Sequence, residues 1–373
     1  MRIVLNANSS WYLYKFRRSS IIALINQSHE VFCLAPRDKY SEKLEELGAK
    51  FYDLALSRSS KNFIKDIMTI FQLKNILSKI SADIVINFTV KNNIYGSLAS
   101  MLSSKSYVIN NVTGIGSAFI KNNLTTIIIK LLYRIIKKIP SHTYFQNEDD
   151  QELFIKNGLV NNDKCSILPG SGIDIESYQS VILAPDKNKF IFIFVGRLIA
   201  DKGIEELLKA IKLLHQELSK VELVILGLVD EDNPSSIPKY ELENMTSDKF
   251  ITLHYDIEDV RHFLAKSHCF VLPSYREGTP RSALEAMAIG LPVILSDVPG
   301  CRKLIADSKN GFSCEANSVK SLYSALKKIV NLSSEELNLM GLRSRDIIEQ
   351  SFSDKIIITD LLNRISLFEQ NVK

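Results

Sequence analysis

Two α/β domains, each built around a doubly wound parallel sheet, are the fold that this sequence predicts. The chain has 373 residues, which is too many for one ordinary hydrophobic core and enough for two. Short apolar runs alternate with helical patterns along its whole length, as they do when helices connect parallel strands. A polar segment with glycines, residues 170–188, separates two such series, and it predicts a hinge.

The first series starts at the N-terminus. Its strands are short runs of apolar and β-branched residues, and its helices repeat apolar residues at spacings of three and four. The predicted strands are Arg2–Asn6, Glu30–Ala35, Lys50–Leu54, Asp83–Phe88, Ser106–Asn110, His142–Gln146 and Cys165–Leu168. The predicted helices are Tyr14–Gln27, Tyr40–Leu47, Asn62–Ile80, Asn93–Leu102, 124–139 and Asp149–Asn157. These elements assign residues 1–174 to a first domain.

The second series assigns residues 175–354 to a second domain. Its predicted strands are Lys189–Val195, Glu222–Leu226, Phe250–Leu253, Cys269–Leu272 and Pro292–Ser296. Its predicted helices are Ile204–Leu218, Ile257–Lys266, Arg281–Ala288, Val319–Val330 and Ser334–Gln350. Parallel sheets bind ligands at the carboxyl ends of their strands, so we expect the two domains to face each other across a ligand-binding cleft.

Charge is distributed unevenly between the two halves. Residues 1–174 contain 22 lysines and arginines against 14 acidic residues, a net charge of +8, whereas the whole chain has +4. The basic half is therefore expected to face phosphate-rich material, either anionic lipid or nucleic acid. Its most apolar stretch, 124–139, has Lys130, Arg134, Lys137 and Lys138 beside a broad apolar surface. That pattern fits a helix lying in anionic headgroups, or a helix packed on the core with solvated cations.

The cysteines indicate a reducing compartment. Five of them are scattered without a C-x-x-C pair, and the N-terminus does not match a signal peptide. We therefore expect a cytoplasmic protein. The histidines lack metal-ligand spacing, and Asp230–Asp232, although formally D-x-D, has the composition of a solvated loop, so no metal site is assigned.

The first candidate for chemistry is the loop 196–203, which follows the first strand of the second domain. Gly196 allows the chain to turn sharply and to approach a ligand closely. Arg197 and Lys202 supply a guanidinium fork and an ammonium for neighbouring phosphate oxygens. The alternative is a turn whose charges are simply solvated.

The second candidate is the loop 273–280 and the helix after it. Thr279 is predicted to cap that helix and Pro280 to be its first residue. The helix N-terminus then offers backbone N–H groups and a favourable dipole to a diphosphate. Glu277 and Glu285 lie on either side of this seat, where their carboxylates can accept hydrogen bonds from sugar hydroxyls. Alternatively, Glu277 is a surface charge of the loop and Glu285 a surface charge of the helix.

These residues resemble a known family. Glu277 and Glu285, separated by seven residues, match the E-x7-E signature of retaining glycosyltransferases of the GT-B fold. The run 273–305 is similar to bacterial family 4 transferases (glycosyl transferases group 1) that build surface polysaccharides, and 196–203 matches the same family's Arg/Lys loop. The resemblance implies two Rossmann-like domains, with a terminal helix at 355–373 that packs back on the first. It also implies a metal-independent hexosyltransferase that has no cofactor and uses a nucleotide sugar, UDP-linked by family habit, as co-substrate.

Site roles follow from the resemblance residue by residue. Arg197 and Lys202 would bind the donor diphosphate and stabilise it as the leaving group. Glu277 would hold hydroxyls of the donor sugar, and Glu285 those of the ribose. The remaining donor-binding residues would be Gly278, Thr279, Pro280 and Arg281 at the diphosphate, Gly196 in the loop that approaches the donor, and Leu226, Gly227 and Pro273 at neighbouring strand ends beside the base. The resemblance implies a substitution on one face of the sugar, with no agreed enzyme nucleophile.

The first domain would bind the acceptor. Asn8 and Trp11 lie in the segment after its first strand, where Trp11 would either stack on a sugar or pack in the core. Many relatives place a histidine on the donor sugar from this domain, but no histidine lies between positions 29 and 142 here. That contact would be either absent or replaced by Asn111 or Thr113, which Gly114 follows.

The function expected from these observations is retaining transfer of a hexose or N-acetylhexosamine from a nucleotide sugar. The acceptor would be a polyprenyl-diphosphate-linked glycan in the biosynthesis of polysaccharide, O-antigen or capsule. The basic half, through helix 124–139, would hold the enzyme peripherally on the inner face of the cell membrane. The alternatives are a nucleotide-sugar epimerase of the same fold and a basic nucleic-acid-binding protein, for which no binding module is found. We expect no nucleic-acid partner.

Overall fold

The chain forms two compact units in the computed structural model. One consists of Met1–Gly172 together with Asp354–Lys373, and the other of Ile173–Ser353. The structure describes residues 1–56, 63–103, 106–115, 124–180, 189–230, 233 and 235–372, with no side-chain description for residues 63, 371 and 372. Much of the predicted hinge, 181–188, therefore lies outside the described residues. The first unit ends two residues before the boundary expected from the sequence.

The first unit contains a parallel sheet, as predicted. Its seven strands, within the described residues, have the order β3-β2-β1-β4-β5-β6-β7. They are β1 (Arg2–Asn6), β2 (Glu30–Ala35), β3 (Lys50–Asp53), β4 (Ile84–Phe88), β5 (Tyr107–Val112), β6 (His142–Phe145) and β7 (Cys165–Ile167). All neighbouring strands run parallel. The inner strands are almost continuously apolar because helices cover both faces of such a sheet.

Helices connect these strands. They are α1 (Ser10–Asn26), α2 (Ser41–Glu46), α3 (Phe63–Ile80), α4 (Val90–Ser103), α5 (Leu124–Ile136) and α6 (Glu148–Lys156). Helix α1 begins four residues earlier than expected, because Ser9 caps it: its backbone is extended, and its Oγ accepts a hydrogen bond from the Tyr12 N–H at 3.1 Å. No helix within the described ranges is both long and apolar enough to cross a membrane.

The second unit contains another parallel sheet, with the order β10-β9-β8-β11-β12-β13. Its strands are β8 (Phe190–Arg197), β9 (Val221–Leu228), β10 (Ile251–Tyr255), β11 (Cys269–Leu272), β12 (Val293–Ser296) and β13 (Gly311–Cys314). Its helices are α7 (Ile204–Glu217), α8 (Lys239–Met245), α9 (Arg261–Ala265), α10 (Arg281–Ile289), α11 (Val319–Val330) and α12 (Ser334–Ile347). The two parallel sheets confirm the predicted fold class.

Some elements differ from the sequence prediction. Strand β13 and helix α8 were not expected: β13 is a short edge strand, and α8 is a polar helix with only Leu242 buried. Helix α9 has five residues rather than ten, because Asp256 before it has a positive φ of 52° and Asp259 binds the N–H of Arg261 at 3.0 Å. A π-helical turn, Ile348–Phe352, ends α12.

The last helix, α13 (Asp354–Val372), belongs to the first unit. Ile357, Leu361 and Ile365 are part of that unit's buried apolar core. The Tyr144 hydroxyl in β6 donates a hydrogen bond to Asp360, and Arg364 Nε donates to the Tyr144 oxygen at 3.3 Å. The core of the first unit is therefore completed by residues that follow the second unit in the chain.

Candidate active site

The sheet order of the second unit defines where a ligand is expected. Strands β8 and β11 are neighbours in the sheet although they are not consecutive in the chain. From β8 the chain continues to β9 on one side, and from β11 it continues to β12 on the other side. In open parallel sheets, ligands bind at such a switch point, beyond the carboxyl ends of the strands. The loops that follow β8 and β11 are the two predicted from the sequence to carry the chemistry.

These two loops approach each other backbone to backbone. After β8 comes a short 3₁₀ turn, Ala200–Lys202, that ends at Gly203 with a φ of 69°. A Cβ atom at Gly203 would lie 2.2 Å from the carbonyl oxygen of Pro273, so only glycine fits. In addition, the Tyr275 N–H donates to the carbonyl oxygen of Asp201 at 2.9 Å. The contact fixes the distance between the functional side chains on the two loops.

Lys202 and Glu277 form an ion pair across this contact. The Lys202 ammonium donates to Glu277 Oε1, and the two side chains are only 14% and 11% exposed. In a site so poorly solvated the two opposite charges attract each other strongly, and removal of either side chain would leave the other charge uncompensated. The structure thus brings together two of the residues that the sequence predicted as catalytic.

A third loop, which follows β12, packs against the backbone at Glu277. The Glu277 N–H donates to Pro299 O at 3.3 Å. Gly300, with a φ of 81°, packs so tightly that a Cβ there would lie 2.0 Å from the carbonyl oxygen of Gly278. Burial raises the pKa of the adjacent Cys301 thiol well above its ordinary value, and the charge of Glu277 raises it further, so the thiol is neutral. Sequence reasoning did not single out these residues after β12.

Arg197 lies at the end of β8, paired with a different acid. Its Nη1 donates to Asp230 Oδ2 at 2.8 Å, and the Arg197 side chain is about half exposed. Asp230 is the first residue of the formal D-x-D sequence, whose other members, Glu231 and Asp232, lie outside the described residues. Among the described side chains, no group of three or more His, Cys, Asp or Glu residues is placed to hold a metal ion.

Helix α10 begins at Arg281, as the predicted range has it, but its capping differs from the expectation. Pro280 is the N-cap residue, with an extended ψ of 109°, and not the first helical residue, and Thr279 is outside the helix. The prediction that Thr279 caps the helix was therefore wrong. Proline has no side-chain acceptor, and within the described residues no side chain caps α10. Its N-terminus still points out of the carboxyl edge of the sheet next to Glu277.

Glu285 lies one turn inside α10 and is held by two neighbours. Arg281 Nε donates to Glu285 Oε1 at 3.0 Å. Burial raises the pKa of the Tyr178 hydroxyl, and the charge of Glu285 and a hydrogen bond to it raise that pKa further. The backbone of Tyr178 is fixed in turn, because Arg345 donates to its carbonyl oxygen. Tyr178 was missed because it lies in the segment that the sequence predicted as hinge, without a periodic pattern.

Of the residues expected beside the base, Leu226 and Gly227 lie inside β9, and Pro273 directly follows β11. Gly196 in β8 pairs with Gly227 in β9. A Cβ at Gly227 would lie 2.4 Å from the Leu198 side chain, which explains the glycine by packing. Leu226 is part of the buried core, so its side chain faces away from any ligand. Contact of these residues with a base stays a prediction.

In the first unit, the predicted acceptor residues also lie along the carboxyl edge of the sheet. Asn8 follows β1, and Trp11 is in the first turn of α1, half-buried, with its ring edge-on to Phe16 at 5.2 Å. Strand β5 runs two residues further than expected, so Asn111 is inside it and buried, donating to the Asn87 carbonyl oxygen at 3.3 Å. Thr113 and Gly114, half-buried, follow the strand, and the rest of the predicted loop from Gly116 lies outside the described residues.

A chain of buried asparagines supports this edge and was not predicted. Asn92 donates to Asn6 at 2.9 Å, Asn6 to Asn87 at 2.8 Å, and Asn87 to Asn110 at 3.0 Å, through their side-chain amides. These residues connect β1, β4, β5 and the start of α4. Because buried amides are costly unless they are satisfied, the network holds the strand ends in one arrangement.

Comparison with known proteins agrees with this architecture. The structure is similar to that of HepE from Anabaena in complex with UDP, with a TM-score of 0.79 at 17% identity over 98% of this chain and all of that one. This likeness concerns the fold, and it identifies the GT-B fold of glycosyltransferases.

The family follows from the sequence. Residues 177–345 match the family model described as glycosyl transferases group 1, and residues 2–143 match the one described as glycosyl transferase 4-like. The chain belongs to these glycosyltransferases.

Two relatives of established name support the assignment. An N,N'-diacetylbacillosaminyl-diphospho-undecaprenol alpha-1,3-N-acetylgalactosaminyltransferase from Campylobacter jejuni is 28% identical over the full length of both chains. A UDP-Gal:alpha-D-GlcNAc-diphosphoundecaprenol alpha-1,3-galactosyltransferase from Escherichia coli is 28% identical over 78% of this chain and 77% of its own. Both are transferases, and neither favours the epimerase or the nucleic-acid-binding alternative.

Proposed function

We propose that this glycosyltransferase moves a hexose or N-acetylhexosamine, with retention of configuration, from a UDP-sugar to a glycan carried on polyprenyl diphosphate. The observation that carries the proposal is the Lys202–Glu277 pair at the switch point of the second unit, beside the N-terminus of α10. Support for the nucleotide and the acceptor comes from the two relatives, whose names specify UDP-galactose in one case and diphospho-undecaprenol acceptors in both. Surface polysaccharide such as O-antigen or capsule is the product class that the sequence resemblance implies.

Each donor-site group has a role in this proposal. Lys202 and Arg197 bind the diphosphate, and backbone N–H groups at 278–281 complete its seat. Glu277 accepts hydrogen bonds from hydroxyls of the transferred sugar, and Glu285, oriented by Arg281 and Tyr178, accepts them from the ribose. Because Lys202 is already fixed by Glu277, it needs little reorganisation when phosphate arrives.

The chemical step places negative charge on the leaving group. The bond between the anomeric carbon and the phosphate oxygen breaks, and its electron pair stays on the diphosphate. The acceptor hydroxyl oxygen forms the new bond on the same face of the sugar, and its proton passes to the departing diphosphate. Lys202 and Arg197 stabilise the charge that develops on the diphosphate. A preorganised donor in a poorly solvated site contributes about 100- to 1000-fold to the rate, a range that applies to Lys202 rather than to the half-exposed Arg197. No metal ion is required by this arrangement.

A transfer assay tests the proposal. The enzyme is supplied with a panel of nucleotide sugars and a synthetic short-chain polyprenyl-diphosphate-linked glycan, and the anomeric configuration of the product is read by NMR. We expect transfer with retention from a UDP-sugar, unchanged by EDTA. Epimerisation of the donor without an acceptor, in the absence of any transfer, would contradict the proposal.

The acceptor's lipid requires contact with a membrane, and one surface of the first unit suits it. Helix α5 packs through Thr126, Tyr133 and Ile136, while five apolar side chains on its other faces are 47–72% exposed. These five are Leu124, Ile127, Ile128, Leu131 and Ile135. All charged residues of 124–139 are basic. We infer that this helix, together with the exposed apolar residues of α3 (Ile64, Ile67, Met68 and Phe71), lies against anionic headgroups on the inner face of the cell membrane.

Replacing Lys130, Arg134, Lys137 and Lys138 together by glutamine is expected to lower partition onto anionic vesicles at least tenfold. Each cation near an anionic surface contributes about 1 kcal/mol, so even two effective charges exceed that factor. The measurement is co-sedimentation with phosphatidylglycerol-containing vesicles. The matched control replaces four exposed lysines of the second unit, Lys249, Lys266, Lys309 and Lys320, and should leave binding unchanged. Equal binding by both variants would remove the membrane assignment.

A further inference from the structure

Arg17, in helix α1, is a buried cation without a counter-charge. Arg17 as a whole residue is only 3% exposed. One nitrogen, Nη2, donates to the Tyr12 hydroxyl oxygen at 3.0 Å, and Nε is buried without a hydrogen-bond partner. A guanidinium has five N–H donors, and the only one of Arg17 with a hydrogen bond to a described residue is on Nη2. No described carboxylate pairs with Arg17.

Aromatic rings surround this guanidinium instead. Its central carbon lies 4.4 Å from the centroid of the Phe88 ring and 5.7 Å from that of Tyr12. Attraction to the ring faces offsets part of the cost of burying the charge, but it leaves the hydrogen-bonding capacity of the group unused. A buried charge without an anionic partner weakens the folded state, so a binding role explains its presence better than a structural one.

The position of Arg17 points to a ligand. Phe88 is the last residue of β4, which lies beside β1 where the strand order of the first sheet reverses, at that unit's own switch point. The next residue, Thr89, has a positive φ of 75°, a strained conformation for a β-branched side chain and one that is common at binding sites. The unused donors of Arg17 thus lie beside the expected crevice.

The N-terminus of α1, the other feature at this edge that attracts anions, is already occupied. Ser9 Oγ accepts the Tyr12 N–H at 3.1 Å, and Asp38 Oδ2 accepts the Trp11 N–H at 3.0 Å. The carboxylate of Asp38 also repels an incoming anion there. A phosphate that enters the crevice between β1 and β4 would therefore be bound by Arg17 rather than by the helix terminus.

We propose that Arg17 binds a phosphate group of the acceptor's diphosphate, with Tyr12 as the residue that covers it. The half-buried Tyr12 ring stacks on Phe16 at 5.0 Å, and a small displacement of its hydroxyl opens the guanidinium to a ligand. A planar fork of N–H donors matches two phosphate oxygens at once. This inference rests on the proposed function, because it takes the acceptor to carry a diphosphate.

The test compares two acceptors with the same sugar, one on a short-chain polyprenyl diphosphate and one on a phosphate-free alkyl chain. The wild type should prefer the diphosphate acceptor, and Arg17→Met should reduce that preference, measured as the ratio of kcat/KM values, by about 10- to 100-fold. Arg17→Lys, which keeps the charge but not the fork, should lie between them. Arg18→Met, which removes the exposed neighbouring arginine, is the matched control and should keep the wild-type ratio.

Thermal unfolding distinguishes a binding role from a structural one. Methionine fills a similar volume without a charge, so the unfolding temperature of Arg17→Met should equal or exceed that of the wild type. A lower unfolding temperature with equal losses on both acceptors would overturn the inference, as would an unchanged preference. If instead the wild type itself shows no preference for the diphosphate acceptor, the proposed acceptor class fails.

Discussion

Replacing Lys202 or Glu277 by alanine is expected to lower kcat/KM for sugar transfer by at least 100-fold. Lys202 is the less exposed of the two cations placed at the donor diphosphate, and removing one preorganised donor from a developing charge costs about 100- to 1000-fold. Without Glu277, the donor sugar loses its carboxylate acceptor and Lys202 loses the partner that fixes it. Both effects fall on the transition state, so kcat should fall at saturating donor. The measurement is steady-state transfer with varied donor.

Stability measurements separate this chemical loss from a folding defect. Each single variant leaves one poorly solvated charge uncompensated, so its free energy of unfolding should fall by about 3 kcal/mol. The double variant Lys202→Ala, Glu277→Ala removes both charges and should regain part of that stability while it remains inactive. Lys212→Ala is the matched control, because Lys212 pairs with Asp248 at 2.8 Å on the exposed surface of the same unit. Near wild-type turnover in either single variant would remove the site assignment.

Substituting alanine for Gly300 is expected to reduce transfer by about 100-fold without touching a charged group. The new Cβ would lie 2.0 Å from the Gly278 carbonyl oxygen and 2.6 Å from that of Glu277. The loop that carries Glu277 must then move by about 1 Å, and a displacement of that size at a catalytic group costs about 100-fold. The readout is kcat/KM for transfer together with the thermal unfolding temperature.

Gly158 provides the control for backbone conformation. It has a similar positive φ of 65°, but a Cβ there would meet nothing within 4 Å. Gly158→Ala should therefore lower the free energy of unfolding by only about 1 kcal/mol, the strain of an alanine in the left-handed conformation, and the variant should transfer sugar at the wild-type rate. If the two alanine variants have similar activity, Gly300 does not position Glu277.

The sequence predicted the sheets well because buried parallel strands are continuous apolar runs. Strand β4 is fully buried along its length, and its five residues were predicted almost to the residue. Elements with weak burial were missed, as β13 and α8 show. The cap of α10 was assigned to the wrong residue because a proline next to a threonine fits two capping arrangements, and only the backbone angles distinguish them.

The two motifs assigned to the proposed donor site could be found from the sequence, but the pairing of their side chains could not. Lys202 and Glu277 are 75 residues apart, and their contact depends on the approach of Gly203 to Pro273. Asp230 was dismissed with its formal D-x-D sequence as part of a solvated loop, and its pairing with Arg197 was not foreseen. Tyr178 gave no signal because it lies in a polar segment that resembles an ordinary connection. Arg17 was not singled out in the predicted helix Tyr14–Gln27, and only its burial against Phe88 distinguishes it from Arg18.

The return of α13 to the first unit has a consequence for biosynthesis. Ile357, Leu361 and Ile365 are the last parts of that unit's interior to leave the ribosome, after the whole of the second unit. The second unit consists of one uninterrupted stretch of chain and can therefore fold first. Until α13 is synthesised, α1 and β6 of the first unit keep an uncovered apolar surface. In nascent chains of this protein the second unit should thus fold before the first, and chaperones would bind the first unit as the late-folding one.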